Sequence, residues 1–425
     1  MDTVYWIWLA LACGAGSESG SLLLDQYATP QKIYELTSDE ISDIEGIDED
    51  LKRALCDKDL SYSERIYKYC QRVNVGIMTL DSPIYPERLK RIHAKPLVLY
   101  YKGRIPDIDD NVLVACVGTR NCTEHGFKTA YKLGAELAEA GAVVVSGMAL
   151  GIDGACARGA IAAGGMTIAV LGCGIDVIYP PRHAELYRNI TEHGAVITEF
   201  VPGTSPEGAN FPIRNRIISG LSLGTCVVEA DMKSGALITA RHAEKQGRDV
   251  FAFPGRAGDK ESGGTNALIH AGAVMVRGAR DILEEYELMY PHRIFTEHIS
   301  KNKYFAPTGE LRVTYVDNIE KEKPARQKKE KIKEEKPKRR AEKVKEASAN
   351  AQPQTAKEHD TSSFSEMELA VYESMKKFSS LDEIRAEASR KMDRELGAGE
   401  VLATVTTLEI LGVCHALPGG NYSLS

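Results

Sequence analysis

Between residue 110 and about residue 288 the chain alternates between short apolar runs and longer stretches with helical spacing. The apolar runs are VLVACVG, AVVVSG, MTIAVLG, AVITEF, TCVVEA, DVFAFPG and AVMVRG. Between them lie KTAYKLGAELAEAG, DGACARGAIAAG and ALITARHAEKQG. A strand buried on one face alternates apolar and polar residues, whereas one buried on both faces reads as a continuous β-branched run. The pattern therefore predicts an α/β domain, a Rossmann-like doubly wound parallel sheet with helices on both faces.

The flanks differ in texture. Residues 1–75 show helical periodicity broken by turns, with an amphipathic first helix expected over Val4 to Cys13 and a helical hairpin closed at Gly46. Residues 76–108 (GIMTL, YPERLKRI, KPLVLYYKG) read as edge strands and connectors, and with 110–288 they make one domain, 76–288. A charged flexible linker is expected over 289–360. Its segment 320–346 holds 13 Lys/Arg against 7 Asp/Glu and no apolar stripe. Three helical runs followed by VCHALPGGNYSLS, with PGG as a hairpin turn, predict a C-terminal winged-helix module over 361–425.

Charge changes the picture in one respect. The chain carries a formal net charge of -7, and 110–288 holds 16 Lys/Arg against 20 Asp/Glu. A broad nucleic-acid-coating surface is thereby disfavoured, and any anion site must come from local placement of cations. The nine cysteines are scattered without a CxxC pair and read as small core residues, with no disulfide or metal role. The stretch Val4 to Cys13 is too short to span a bilayer and lacks a basic leader, so no membrane segment and a cytoplasmic location are expected.

In a doubly wound sheet, ligands bind beyond the carboxyl ends of the strands. The features that fall there are Gly118 and Arg120 after the first strand, Ser146, Gly147 and Gly151 after the second, and Arg182 after the third. Phe211, Arg214, Asn215 and Arg216 open a later helix, and Lys233, Ser234, Gly235 and Thr239 follow the fifth strand. Glycines admit backbone N–H groups to a ligand, helix N-termini favour anions, and four arginines at one edge could grip phosphates. A dinucleotide site would need GxGxxG after a strand and an acid about twenty residues on, which Gly147, Gly151 and Gly154 do not supply. A nucleotide or nucleotide-sugar hydrolase is the alternative. SGGTNALI shares a fragment of such a signature without its glutamate, and Glu229 reads better as a loop brace. No catalytic constellation, cofactor motif or metal-ligand spacing is found.

Six blocks in fixed order carry a family resemblance. SGMALGIDGACARGA, IAVLGCGIDVIYPPRHAELY, ITEFVPGTSPEGANFPIRNRIISGLS, VVEADMKSGALITARHAEKQGRDVFAFPG and GTNALIHAGA, preceded by GTR, resemble the DNA-processing protein A (DprA/Smf) family. The resemblance is dense over 110–277 and looser outside it. It implies a bacterial recombination mediator that is not an enzyme. Such a protein binds and protects single-stranded DNA at the Rossmann-like domain, forms a homodimer, and helps load RecA recombinase in natural transformation. It also implies that Arg120, Arg182, Phe211 and the Arg214-Asn215-Arg216 block contact DNA, while His183 departs from the asparagine more common in the family. The last predicted helix, AGEVLATVTTLEILG, has no Lys or Arg, so duplex reading by the C-terminal module is not expected.

Overall fold

The computed structural model describes residues 2–299 and, with interruptions, 364–424. The chain divides into two compact units, 1–319 and 320–425. The first opens with α1 (Asp2–Cys13), α2 (Ser19–Tyr27), α3 (Pro30–Tyr34), α4 (Ser38–Ser42), α5 (Glu49–Cys56) and α6 (Ser61–Arg72). Next come β1 (Gly76–Thr79), α7 (Glu87–Lys90) and β2 (Val98–Gly103). The alternating region follows: β3 (Leu113–Val117), α8 (Glu124–Glu139), β4 (Val143–Ser146), α9 (Ile152–Ala162), β5 (Thr167–Val170) and α10 (Ala184–His193). It continues through β6 (Gly194–Thr198), α11 (Asn210–Leu221), β7 (Gly224–Val227), α12 (Ala236–Lys245), β8 (Asp249–Ala252), α13 (Gly263–His270), β9 (Val274–Met275) and α14 (Ala279–Leu283).

All nine strands form one sheet in the order β1-β2-β6-β5-β4-β3-β7-β8-β9. From β6 to β9 every pairing is parallel, while β1 and β2 add an antiparallel edge. Side chains of β3 show why its run is unbroken. Leu113, Ala115 and Val117 enter one hydrophobic cluster with α11 and α12, whereas Val114 and Cys116 enter another with α8 and α9. Each leucine or valine so removed from water contributes on the order of 1.5–3 kcal/mol, so a polar residue at any of those positions would be costly.

The first helix differs from its expected amphipathic form. Trp6, Ile7, Trp8 and Leu9 are consecutive and all buried, because α2, α3, α5, α6 and the β1–β2 hairpin surround α1 on several sides. That helical core runs on without a break into Val98, Tyr100 and Val196 of the sheet, so one hydrophobic cluster spans both. The hairpin turn at Gly46 is present, with φ +83° between α4 and α5.

Residues 289–299, expected in the linker, instead pack on the first unit. Ile294 is 3% exposed, and the Phe295 N–H donates to the Ala140 carbonyl at 2.9 Å. The rest of the expected linker, 300–360, lies outside the described residues. In the second unit, α15 (Glu366–Met375) and α16 (Leu381–Lys391) accompany an antiparallel pair, β10 (Cys414–Leu417) and β11 (Asn421–Leu424). A Ser365/Glu368 capping box starts α15. Val401, Val405 and Leu408, spaced for one helical face, join this unit's core. The predicted PGG turn lies outside the described residues.

Candidate functional site

Strand order reverses at β3, which pairs with β4 on one side and β7 on the other. Connections leave in opposite directions there, opening a crevice at the carboxyl ends of the strands. A cleft of about 500 Å³ occupies this position. Its walls are the loop after β3 (Gly118 to Asn121), the start of α9, Tyr179, the start of α11 and the loop into α12.

The four arginines expected at this rim separate into two kinds. Arg120 is exposed, lines the cleft and sits 5.1 Å over the Phe211 ring. Arg182 is also exposed, on the turn before α10, but is not among the lining residues. Arg214 reaches the cleft wall yet is only 4% exposed. Its guanidinium donates to the carbonyls of Gly147 (3.0 Å) and Val170 and to the Asn215 side chain (3.2 Å). Burial, with Arg120 nearby, lowers its pKa to about 10, opposed by the Asp153 charge.

Arg216 requires a correction: it does not line the cleft. It is 5% exposed, forms a two-pronged pair with Glu199 at 2.7 and 2.8 Å, and donates to the Ala94 carbonyl at 2.9 Å. Its three nitrogens already donate to protein and it faces away from the cleft, so phosphate capture by four arginines is replaced by a single exposed cation inside the cleft. Lys233 is exposed on the loop after β7 but is likewise not a lining residue.

The smaller residues divide the same way. Gly118, Asn215, Ser234, Gly235 and Thr239 line the cleft. Ser146 is fully buried, its oxygen accepting the Met148 N–H at 3.3 Å, so it is a structural group. Gly147 packs against Arg214, borders a smaller recess beside the cleft, and donates its N–H to Asp153 at 2.9 Å. Gly151 adopts φ +76°, and a Cβ there would lie 2.2 Å from the Thr119 carbonyl and 2.7 Å from that of Arg120. Only glycine lets the start of α9 approach the Arg120 loop this closely.

Glu229 is 7% exposed and accepts from the Thr123 N–H at 2.8 Å and the Thr123 hydroxyl at 2.6 Å. It ties the end of the β3 loop, at the start of α8, to the segment after β7, and it is not a lining residue of the cleft. Among the described residues no group of His, Cys, Asp or Glu is arranged to hold a metal ion, and no helix is long and apolar enough to cross a membrane.

Two site residues escaped the sequence reading. Tyr179 lines the cleft, with its ring 5.5 Å from that of Phe211 and tilted by 38°. Asp153 lies under the same wall, only 5% exposed. Burial holds its carboxyl above the usual range, against the pull of Arg214 and the Gly147 N–H. The tyrosine stands in the quoted GIDVIYPPR block, but nothing in spacing alone joins it to a phenylalanine 32 positions later. Phe211 is half-buried, with Tyr179, Arg120 and Arg214 around its ring.

The family model for DNA recombination-mediator protein A matches residues 76–287. Among curated proteins, the chain is similar to a DNA processing protein DprA of Streptococcus pneumoniae, 44% identical over 203 residues, covering 48% of this chain and 71% of that protein. It is also similar to one of Bacillus subtilis, 40% identical over 221 residues, covering 52% and 74%. A Protein Smf of Synechocystis sp. is 42% identical over 216 residues, and the chain spans only 54% of its length. Among solved structures, the X-ray structure of the Streptococcus pneumoniae DNA processing protein A superposes with a TM-score of 0.59 at 35% identity. It covers 67% of this chain and 98% of that one.

Proposed function

Since this chain belongs to the DNA recombination-mediator protein A family, we propose that it is a single-stranded-DNA-binding recombination mediator without a reaction of its own, and that its cleft at β3 and β7 takes the strand. The observation that carries this reading is the exposed Arg120 guanidinium lying over the Phe211 ring at the mouth of that cleft. A backbone phosphate would draw the guanidinium to itself. The ring face beneath it, beside Tyr179, would then be open to a base. Phosphate pairing and aromatic stacking together bind single strands without reading sequence. Lys233 and Arg182, exposed beyond the cleft, would extend the path of the backbone, while Gly118, Asn215, Ser234, Gly235 and Thr239 shape its floor.

The remaining parts of the reading follow from family membership. The protein acts in the cytoplasm, protects incoming single strands and helps load RecA recombinase in natural transformation. It works as a homodimer, which would raise affinity on long strands through effective concentration. The second unit, read from its sequence pattern, is a winged-helix module that contacts protein, or nothing, and does not read duplex DNA, since 364–425 hold 6 Lys/Arg against 10 Asp/Glu.

The test is binding of a fluorescent oligo-dT strand across a salt series. Arg120→Ala is expected to weaken binding and to flatten the slope of log K against log salt by about 0.7, the single-strand coefficient for one phosphate contact. Wild-type protein that fails to bind oligo-dT, or an Arg120→Ala slope equal to that of wild type, rejects the reading.

A further inference from the structure

Both rings beside the cleft stand on segments that the N-terminal helices hold. Tyr179 ends the loop that follows β5, and Asp176 lies within that loop. Asp176 accepts from the Tyr69 hydroxyl of α6 at 3.0 Å and from the Gly203 N–H of the next loop at 2.8 Å. One carboxylate therefore ties the N-terminal helices to two loops at once. Burial and the adjacent Asp176 charge raise the Tyr69 hydroxyl pKa, so at neutral pH it is protonated and donates. The Tyr187 hydroxyl holds the same loop at the Ile175 carbonyl, 2.6 Å away. Tyr69, Val177 and Tyr179 all pack against the hydrophobic cluster built around α1.

Phe211 is held by a second connection. Gly16, in the turn between α1 and α2, has φ +78° and approaches α11 so closely that a Cβ would lie 2.7 Å from Ile213. Its N–H points at Glu199, 3.4 Å away, and Glu199 in turn grips Arg216 of α11. The chain from Gly16 through Glu199 to Arg216 fixes the helix that carries Phe211.

We infer that the N-terminal helices set the relative placement of Tyr179 and Phe211 through these two struts, so that Tyr69, Asp176 and the Glu199–Arg216 pair are positioning residues for the cleft. The inference rests on the cleft being the DNA site only for its effect on affinity; the placement of the loop is a separate, measurable claim. The Asp176 strut is the one to cut, because it is exposed and its loss should leave the fold intact.

The experiment uses the full chain with Asp176→Ala, Asp176→Asn and Tyr69→Phe. Amide hydrogen exchange over 172–180 is read without DNA, and oligo-dT affinity is read across the salt series. Asp176→Ala should speed exchange over 172–180 while 113–117 stays protected, and weaken oligo-dT binding about fivefold, the scale of one net hydrogen bond. The salt slope should not change, since no phosphate contact is lost, which separates positioning from direct contact. Tyr69→Phe should show a smaller effect of the same kind. Asp176→Asn, which keeps an oxygen for the Gly203 N–H, should recover most of both. Unchanged exchange over 172–180 in Asp176→Ala overturns the inference. So does faster exchange with unaltered affinity in a protein whose affinity Arg120→Ala does reduce. If Arg120→Ala is silent as well, the cleft reading has failed, and exchange alone decides the strut.

Discussion

Two regions beside the cleft carry the same cation in opposite conditions. On α11, Arg214 and Arg216 are buried and bonded to protein carbonyls, and Arg216 also pairs with Glu199. On the loop after β3, Arg120 is exposed and rests on a ring. What separates them is the supply of acceptors. Beneath α11 the ends of β4 and β5 present carbonyls to Arg214, and β6 leads to a carboxylate for Arg216. Arg120 on the β3 loop meets the aromatic face of Phe211 from α11, with the Asp153 charge nearby and no hydrogen-bond acceptor among the described residues. A guanidinium held on a ring can be drawn away by a stronger anion, whereas one held by several protein hydrogen bonds fixes its own helix in place.

The sharpest way to break this contrast is Arg216→Ala. It strands the Glu199 carboxylate, which burial already holds above its ordinary range against the pull of Arg216. Removing one partner of a buried pair is expected to cost about 3–5 kcal/mol, read as a lower denaturation midpoint in urea. A loss below about 1 kcal/mol would show that Arg216 is no more structural than Arg120, since exposed substitutions usually stay within about 0.5 kcal/mol.

Next in size is a pH effect at the neighbouring pair Arg182 and His183, one exposed and one 1% exposed. Burial, aided by the Arg158 charge, lowers the His183 pKa to about 4, opposed by its contact with the Met148 carbonyl at 3.0 Å. The folded state therefore resists a proton that the unfolded chain takes up near pH 6.5. Stability should be complete above about pH 6.5 and fall as pH drops toward about 4, by about 3 kcal/mol at 1.36 kcal/mol per pKa unit. Urea midpoints of wild type and His183→Gln across that window check it, and a variant with the same pH dependence would remove His183 as the cause.

The smallest effect belongs to Lys233→Ala. Its stability should stay within about 0.5 kcal/mol of wild type. Its oligo-dT affinity should fall less than that of Arg120→Ala, because Lys233 does not line the cleft. A larger drop than Arg120→Ala would move the centre of binding to the α12 side.

How far the sequence could be read follows from the range of the interactions involved. Strands β3 to β8 were legible because both faces of each meet a core, which leaves an unbroken apolar run. That the glycine-rich and arginine-bearing loops gather at the carboxyl edge was legible too, since each loop directly follows its own strand. The fate of α11 was only partly so. Residues two apart on a helix lie about 200° apart, so Arg214 and Arg216 could not both have faced one cleft. The acceptors that claim them, at Gly147, Val170, Ala94 and Glu199, come from distant parts of the chain. Helix α1 misled for a related reason: a helix enclosed on several sides has no polar face to reveal its orientation.

The Glu229 brace has a consequence in time. Its partner Thr123 lies 106 residues earlier in the chain. A ribosome adds on the order of 5–20 residues per second, so the loop bearing Arg120 waits roughly 5–20 s after its own synthesis for the carboxylate that secures it. The loop into α12, which follows that carboxylate, also forms one wall of the cleft. A nascent chain that ends before it has most of the sheet but no finished mouth. In the order of synthesis, the loop bearing Arg120 is thus secured only when the far side of its cleft is also in place.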